Sequence, residues 1–77
     1  MDIVLQIKEE YRKFTKSEKK VADYFIENYK DAINESIQSI AATTDTSPAT
    51  VIRFVKALKF DGLQQLKLAI AADMDSQ

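Results

Sequence analysis

The sequence predicts an all-α fold, a compact five-helix bundle containing a helix-turn-helix pair, and three observations carry the prediction. Its 77 residues include one proline, Pro48, and one glycine, Gly62, so the residues that interrupt helices are nearly absent. Apolar side chains recur three and four residues apart, the spacing of one helix face rather than the alternation of a strand. Between these segments stand side chains that cap helix starts, set in short polar stretches. A chain of this length is one domain with a small core, and little apolar surface is left over for a deep substrate pocket.

The first helix is expected from about Ile3 to Phe14, with Val4, Ile7, Tyr11 and Phe14 as its inward stripe. Thr15-Lys-Ser-Glu18 then has the form of a capping box: hydroxyl to the Glu18 amide, carboxylate back to the Thr15 amide. A second helix follows from Lys16, with Val21, Ala22, Phe25, Ile26 and Tyr29 on its apolar face. Lys30 to Glu35 reads as a link holding one helical turn at Asp31-Ala-Ile33.

Ser36 caps a third helix whose inward stripe is Ile37, Ile40 and the small Ala41, where two steeply crossing helices need close approach. Thr43-Thr-Asp-Thr46 breaks it, because these side chains compete for backbone hydrogen bonds. Ser47 caps a fourth helix, and Pro48 suits its first position, where the missing N–H costs nothing. Val51, Phe54, Val55 and Leu58 face inward, while Ala49, Arg53 and Lys56 face out. That outward face is slim and basic, as a helix lodged in a major groove must be, and nothing acidic lies between Thr46 and Lys59. Asp61-Gly-Leu-Gln64 can cap a fifth helix carrying Leu63, Leu66 and Ile70 on one side and ending near Ala72. The tail from Asp73 to Gln77 has no periodicity and is expected to fray.

Composition removes most enzyme classes. Without cysteine or histidine there is no disulfide framework, no thiol nucleophile, no Ser-His-Asp chemistry and no common metal ligand of either type. A single glycine rules out a phosphate-cradling Gly-rich loop. No cofactor is expected. Asp2 stands where a secretory signal wants a base, and the apolar run Ile3-Val-Leu5 is too short to span a bilayer, so a cytoplasmic protein without membrane contact is the expectation.

The formal net charge of −1 does not announce a nucleic-acid binder. Its distribution is more telling. Arg12, Lys13, Lys16, Lys19 and Lys20 cluster with only Glu18 among them, and Arg53, Lys56 and Lys59 cluster around the fourth helix. One basic face suffices for phosphates even when total charge is near zero.

Other residues have blander readings. Glu9-Glu10 and the series Asp23, Glu27, Asp31 read as solvated helix surface rather than paired catalytic carboxylates. Tyr11 and Tyr29 lie on apolar faces and read as core rather than base-stacking platforms, with Tyr24 less constrained. The Arg12–Lys20 cluster reads as a solvated junction or a phosphate clamp. Ile52 and Leu68 fall off the inward stripes, either as ordinary exposed side chains or as partner contacts.

Thr15-Lys-Ser-Glu-Lys-Lys-Val-Ala-Asp-Tyr-Phe-Ile-Glu-Asn-Tyr29, Ser36-Ile-Gln-Ser-Ile-Ala41, Ser47-Pro-Ala-Thr-Val-Ile-Arg-Phe54 and Leu58-Lys-Phe-Asp-Gly-Leu-Gln-Gln-Leu-Lys67 together resemble the N-terminal domain of the RpiR family, bacterial transcription regulators of sugar metabolism. The resemblance covers nearly the whole chain. It implies an all-helical, homeodomain-like helix-turn-helix domain lacking a wing, usually dimeric, joined in the family to a C-terminal sugar-isomerase-type domain that senses phosphosugars. Residues 1–77 would then be the single DNA-binding domain, with the effector site in a domain absent from this chain. Ser47, Thr50 and Arg53 match the family's Ser-x-x-Thr-x-x-Arg signature. Lys59 stands where the family commonly has Gly, and Asp45-Thr46 where Gly and an aliphatic residue are usual.

The expected partner is double-stranded DNA, bound by a homodimer whose candidate surfaces are the first and fifth helices. Ser36 and Gln38, at the start of the third helix, should meet a phosphate; Ser47, Ala49, Thr50 and Arg53 should face the groove, with Arg53 on a base edge; Lys56 and Lys59 should neutralise phosphates. Thr50 stays ambiguous here, since a Thr three residues after a cap can simply fill the turn. The rival is a helical protein-interaction or dimerisation module whose basic residues only solubilise it.

Overall fold

Ser47 and Pro48 start their helix where the sequence places it, and the remaining elements are arranged around that one. In the computed structural model, which describes residues 2–75, the helices are α1 (Ile3–Glu10), α2 (Lys16–Ala32), α3 (Ile37–Thr43), α4 (Pro48–Ala57) and α5 (Leu63–Asp75), with a 3₁₀ turn at Tyr11–Lys13. Helix α4 packs on both α2 and α3, while α1 lies against α2 and α5.

The capping chemistry forms as read. Thr15 Oγ1 accepts from the Glu18 amide at 3.2 Å and Glu18 Oε1 accepts from the Thr15 amide at 2.9 Å. Ser36 Oγ accepts from the Ser39 amide at 3.0 Å, and Ser47 Oγ from the Thr50 amide at 3.2 Å. All four inward positions of α4, Val51, Phe54, Val55 and Leu58, are buried, together with Val21, Ala22 and Phe25 of α2 and Ile40 and Ala41 of α3. Phe54 stands at the centre, 5.2 Å from the Phe14 ring and 5.3 Å from that of Phe25.

Three element boundaries differ from the sequence reading. The first α-helix stops at Glu10 and the chain tightens into the 3₁₀ turn, because Phe14 is extended (φ −75°, ψ 145°) to reach the core and deliver Thr15 to its cap. Ile3, rather than Val4, is the buried residue of the first turn. Helix α2 absorbs the predicted separate turn by running through Ala32, with a kink at Asn28 (φ −132°, ψ 34°). Helix α5 continues beyond Ala72 through Asp75, so the expected fraying does not extend to Asp73, Met74 or Asp75; the rest of that stretch, residues 76–77, lies outside the described residues. The added turn has a cause: the Ile3 amide donates to Asp73 Oδ2 at 2.6 Å, placing a carboxylate at the positive end of α1.

Both helices of the central pair end in the same way. Thr46 N–H donates to Ala41 O at 2.9 Å and Asp45 N–H to Ala42 O at 3.3 Å; Phe60 N–H donates to Val55 O at 3.3 Å and Lys59 N–H to Lys56 O at 2.9 Å. Each pair of bonds is a Schellman motif, which requires a left-handed residue after the helix. Asp45 (φ 55°) and Lys59 (φ 71°) take that conformation without being glycine. The two departures from the family's glycine pattern therefore leave the turn geometry intact and load it with backbone strain.

Candidate nucleic-acid interface

The exposed side of α4 is built by its own periodicity. With Val51, Phe54, Val55 and Leu58 committed to the core, Ala49, Ile52, Arg53 and Lys56 are left exposed, and Lys59 follows on the turn. Pro48 and Ala49 keep the start of the helix slim.

Arg53 is held against this face. Its guanidinium Nη2 donates to Thr50 Oγ1 at 3.2 Å, while Nε lies 3.9 Å from Glu18 Oε2; the arginine side chain is 60 % exposed and that of Glu18 11 %. Thr50, expected to face the groove, is instead buried at 4 % exposure. Its hydroxyl is shared with Ser47 Oγ at 3.1 Å and with Arg53, one helical turn on, so it supports the arginine from beneath.

Ser36 and Gln38 are exposed at the start of α3. The Ser36 hydroxyl is already engaged by the Ser39 amide, and Glu35 accepts a hydrogen bond from Ser39 Oγ, which sets an acid beside this helix start. Lys20 Nζ approaches Asp45 Oδ2 at 4.0 Å, bringing part of the Arg12–Lys20 basic cluster alongside the inter-helix turn.

Glu18 is the residue of this site that the sequence did not reveal. It was legible as a capping residue but not as a neighbour of Arg53, because that proximity arises only when α2 packs on α4. Ile52, 41 % exposed, shares the outward side of α4 with the cations. Tyr11 and Tyr29 are half-buried against the core, consistent with their apolar positions, as is Tyr24. Among the described residues, no group of three or more acidic side chains is placed to hold a metal ion, and no helix is long and apolar enough to cross a membrane.

Comparison with known proteins identifies the family of the fold. The helix-turn-helix domain of the rpiR family matches residues 1–77. An HTH-type transcriptional regulator of Caldanaerobacter subterraneus is 37 % identical over 76 residues, covering 99 % of this chain and 27 % of the relative. The crystal structure of the N-terminal domain of the putative transcriptional regulator YbbH from Bacillus subtilis superposes with a TM-score of 0.83 at 35 % identity, covering 88 % of this chain and 83 % of that one. The Vibrio vulnificus NanR protein, solved in complex with ManNAc-6P, superposes with a TM-score of 0.91 at 30 % identity, covering 96 % of this chain and 28 % of that one. The chain thus spans about a quarter of the length of the full-length regulators it matches. A capped helix with a basic outward side, the helix packed beside it, and a family match along the whole length lead to one assignment: the chain belongs to the RpiR family of helix-turn-helix domains of transcription regulators.

Proposed function

We propose that this domain binds double-stranded DNA sequence-specifically by laying α4 in the major groove, with Arg53 contacting a base edge. The observation that carries the reading is the division of α4 itself. Val51, Phe54, Val55 and Leu58 hold the core, and its outward side offers Ala49, Arg53 and Lys56 beside the exposed Ile52, with no acid of its own. Ala49 permits close approach, Ser47 lies at the groove edge, and Lys56 and Lys59 neutralise phosphates. Thr50 acts through Arg53 rather than by touching DNA. Ser36 and Gln38 meet the backbone through the free amides at the start of α3, a weaker anchor because of Glu35.

Useful specificity calls for two copies on half-sites about one helical turn, or a multiple of it, apart. A homodimer through α1 and α5 fits Leu5 and Leu68, which are 53 % and 61 % exposed on two helices that pack together. In the parent regulator, working in the cytoplasm, a phosphosugar effector would bind outside this domain. The NanR protein, of which this chain covers 28 %, is complexed with ManNAc-6P, which supports a phosphosugar as the class of effector by similarity.

The deciding experiment is fluorescence anisotropy on labelled random duplex across a salt series, followed by duplexes selected from a random pool. Steep weakening with salt is expected if phosphates are engaged. Arg53→Ala should weaken binding to selected duplex by about 5- to 150-fold and relax preference at one base pair. Equal loss on selected and random duplex would remove Arg53 from base reading. No salt-dependent binding at all would favour a protein-interaction module.

A further inference from the structure

Arg53 does not extend freely from α4. A guanidinium has a side edge, formed by Nε–H and one Nη2–H, and an end edge, formed by Nη1 and Nη2. The side edge of Arg53 is turned toward the protein: Thr50 Oγ1 accepts from Nη2 at 3.2 Å, and Glu18 Oε2 lies 3.9 Å from Nε, an ion-pair contact beyond hydrogen-bond distance. Both supports are buried, Glu18 at 8 % exposure and Thr50 at 4 %. Both are themselves fixed: Glu18 Oε1 accepts from the Thr15 amide at 2.9 Å, and the Thr50 hydroxyl shares a hydrogen bond with Ser47 at 3.1 Å. Nη1 and the second proton of Nη2 are left for a ligand, and two guanidinium N–H groups side by side are what pair bidentately with guanine O6 and N7.

We infer that Glu18 is a specificity-determining positioning residue, which aims the end edge of Arg53 at guanine while weakening attraction for DNA of any sequence. The inference rests on the base-reading role of Arg53 proposed above. An anion just beneath a DNA-facing surface opposes phosphate binding, so its placement beside the reading arginine trades general affinity for direction. The capping box and the base-reading site thus share one carboxylate: Oε1 fixes the start of α2, and Oε2 reaches across to α4.

Glu18→Gln separates these roles, since its amide oxygen can still accept from Thr15 while the charge is removed. Duplexes selected from a random pool by the native chain would be compared with versions altered at each guanine, and with random duplex. The expected result is that discrimination at one guanine falls by about 5-fold or more while affinity for random duplex holds or rises. In an Arg53→Ala background, Glu18→Gln should produce no further loss of discrimination. A second variant, Thr50→Val, removes the other support without changing charge and should lower the same discrimination without raising affinity for random duplex. An effect on thermal stability alone, or parallel loss on selected and random duplex, would make Glu18 merely structural and overturn the inference. Loss of discrimination with Arg53→Ala but not with Glu18→Gln would refute only this step. No loss with either would refute the base-reading role and this step with it.

Discussion

Phe54 of α4 stacks on Phe25 of α2 with ring centroids 5.3 Å apart and planes 22° from parallel, and neither ring is exposed. The reading helix is therefore anchored from behind by an aromatic side chain that cannot be shortened without opening a void. Phe54→Ala should cost about 3–5 kcal/mol, a large share of the stability of so small a domain. Urea unfolding followed by circular dichroism would register the loss, and Phe54→Leu should cost less because it restores most of the volume. A small effect of Phe54→Ala would mean that α4 is held by its caps rather than by its core face.

Lys59 serves two ends that conflict. Its left-handed conformation (φ 71°) closes the Schellman motif after α4, where glycine is free of the Cβ clash. Lys59→Gly should stabilise the fold by up to about 1 kcal/mol, which for a domain of this size raises the melting temperature by about 4–8 °C. The same change removes a cation beside the reading helix, so the salt dependence of DNA binding should become shallower by about one unit of slope. Scanning calorimetry and a salt titration on one variant would test both expectations.

The central pair was legible because its signals are local. Ser36 and Ser47 as caps, Pro48 at the first helical position and the stripe from Val51 to Leu58 are all set by residues within a few positions of each other, and the structure places each where the pattern does. What the sequence concealed depends on contacts distant along the chain. The extra turn of α5 rests on Asp73 meeting the Ile3 amide, and the support of Arg53 rests on Glu18 crossing from α2. Thr50 shows the limit within a single helix. Helical spacing puts it near the boundary of the two faces, and only the packing of α4 on its neighbours decides that it is covered. The end of α1 falls short of the sequence expectation because a 3₁₀ turn keeps Tyr11 and Phe14 near the core without continuing the α-helical period.

Alkaline pH should weaken the fold through two tyrosines. Tyr11 has its phenol pKa raised above 10.0, chiefly by its hydrogen bond to the Asp23 carboxylate, with desolvation and the charge of Asp23 adding to it. Tyr24 is raised first by desolvation and then by the charges of Glu35 and Asp31. A pKa higher in the folded state means that the folded protein holds the phenolic proton more tightly than the unfolded chain. The resulting stabilisation is complete below pH 10 and is lost as pH rises through the raised folded values. Stability measured by denaturant titration should fall over that window, and the double variant Tyr11→Phe with Tyr24→Phe should fall less steeply. An unchanged slope would assign the alkaline loss to other groups.

Asp45 offers a change in which stability and DNA binding move together, unlike Lys59. It occupies the left-handed position after α3 (φ 55°), its side chain is fully exposed, and among the described residues it meets Lys20 Nζ at 4.0 Å. A pair so open to solvent contributes little, so its loss should not offset the relief of backbone strain. Asp45→Gly should raise the melting temperature. It also removes an anion from the turn that joins the supporting and reading helices and leaves Lys20 unopposed there, so affinity for random duplex at low salt should rise and its salt dependence should steepen. Asp45→Asn separates the two effects, since it removes the charge but keeps a side chain that tolerates the left-handed region. It should reproduce the gain in DNA affinity with a smaller gain in stability. If Asp45→Asn left binding unchanged while Asp45→Gly improved it, the turn would act on DNA through its backbone and not through its charge.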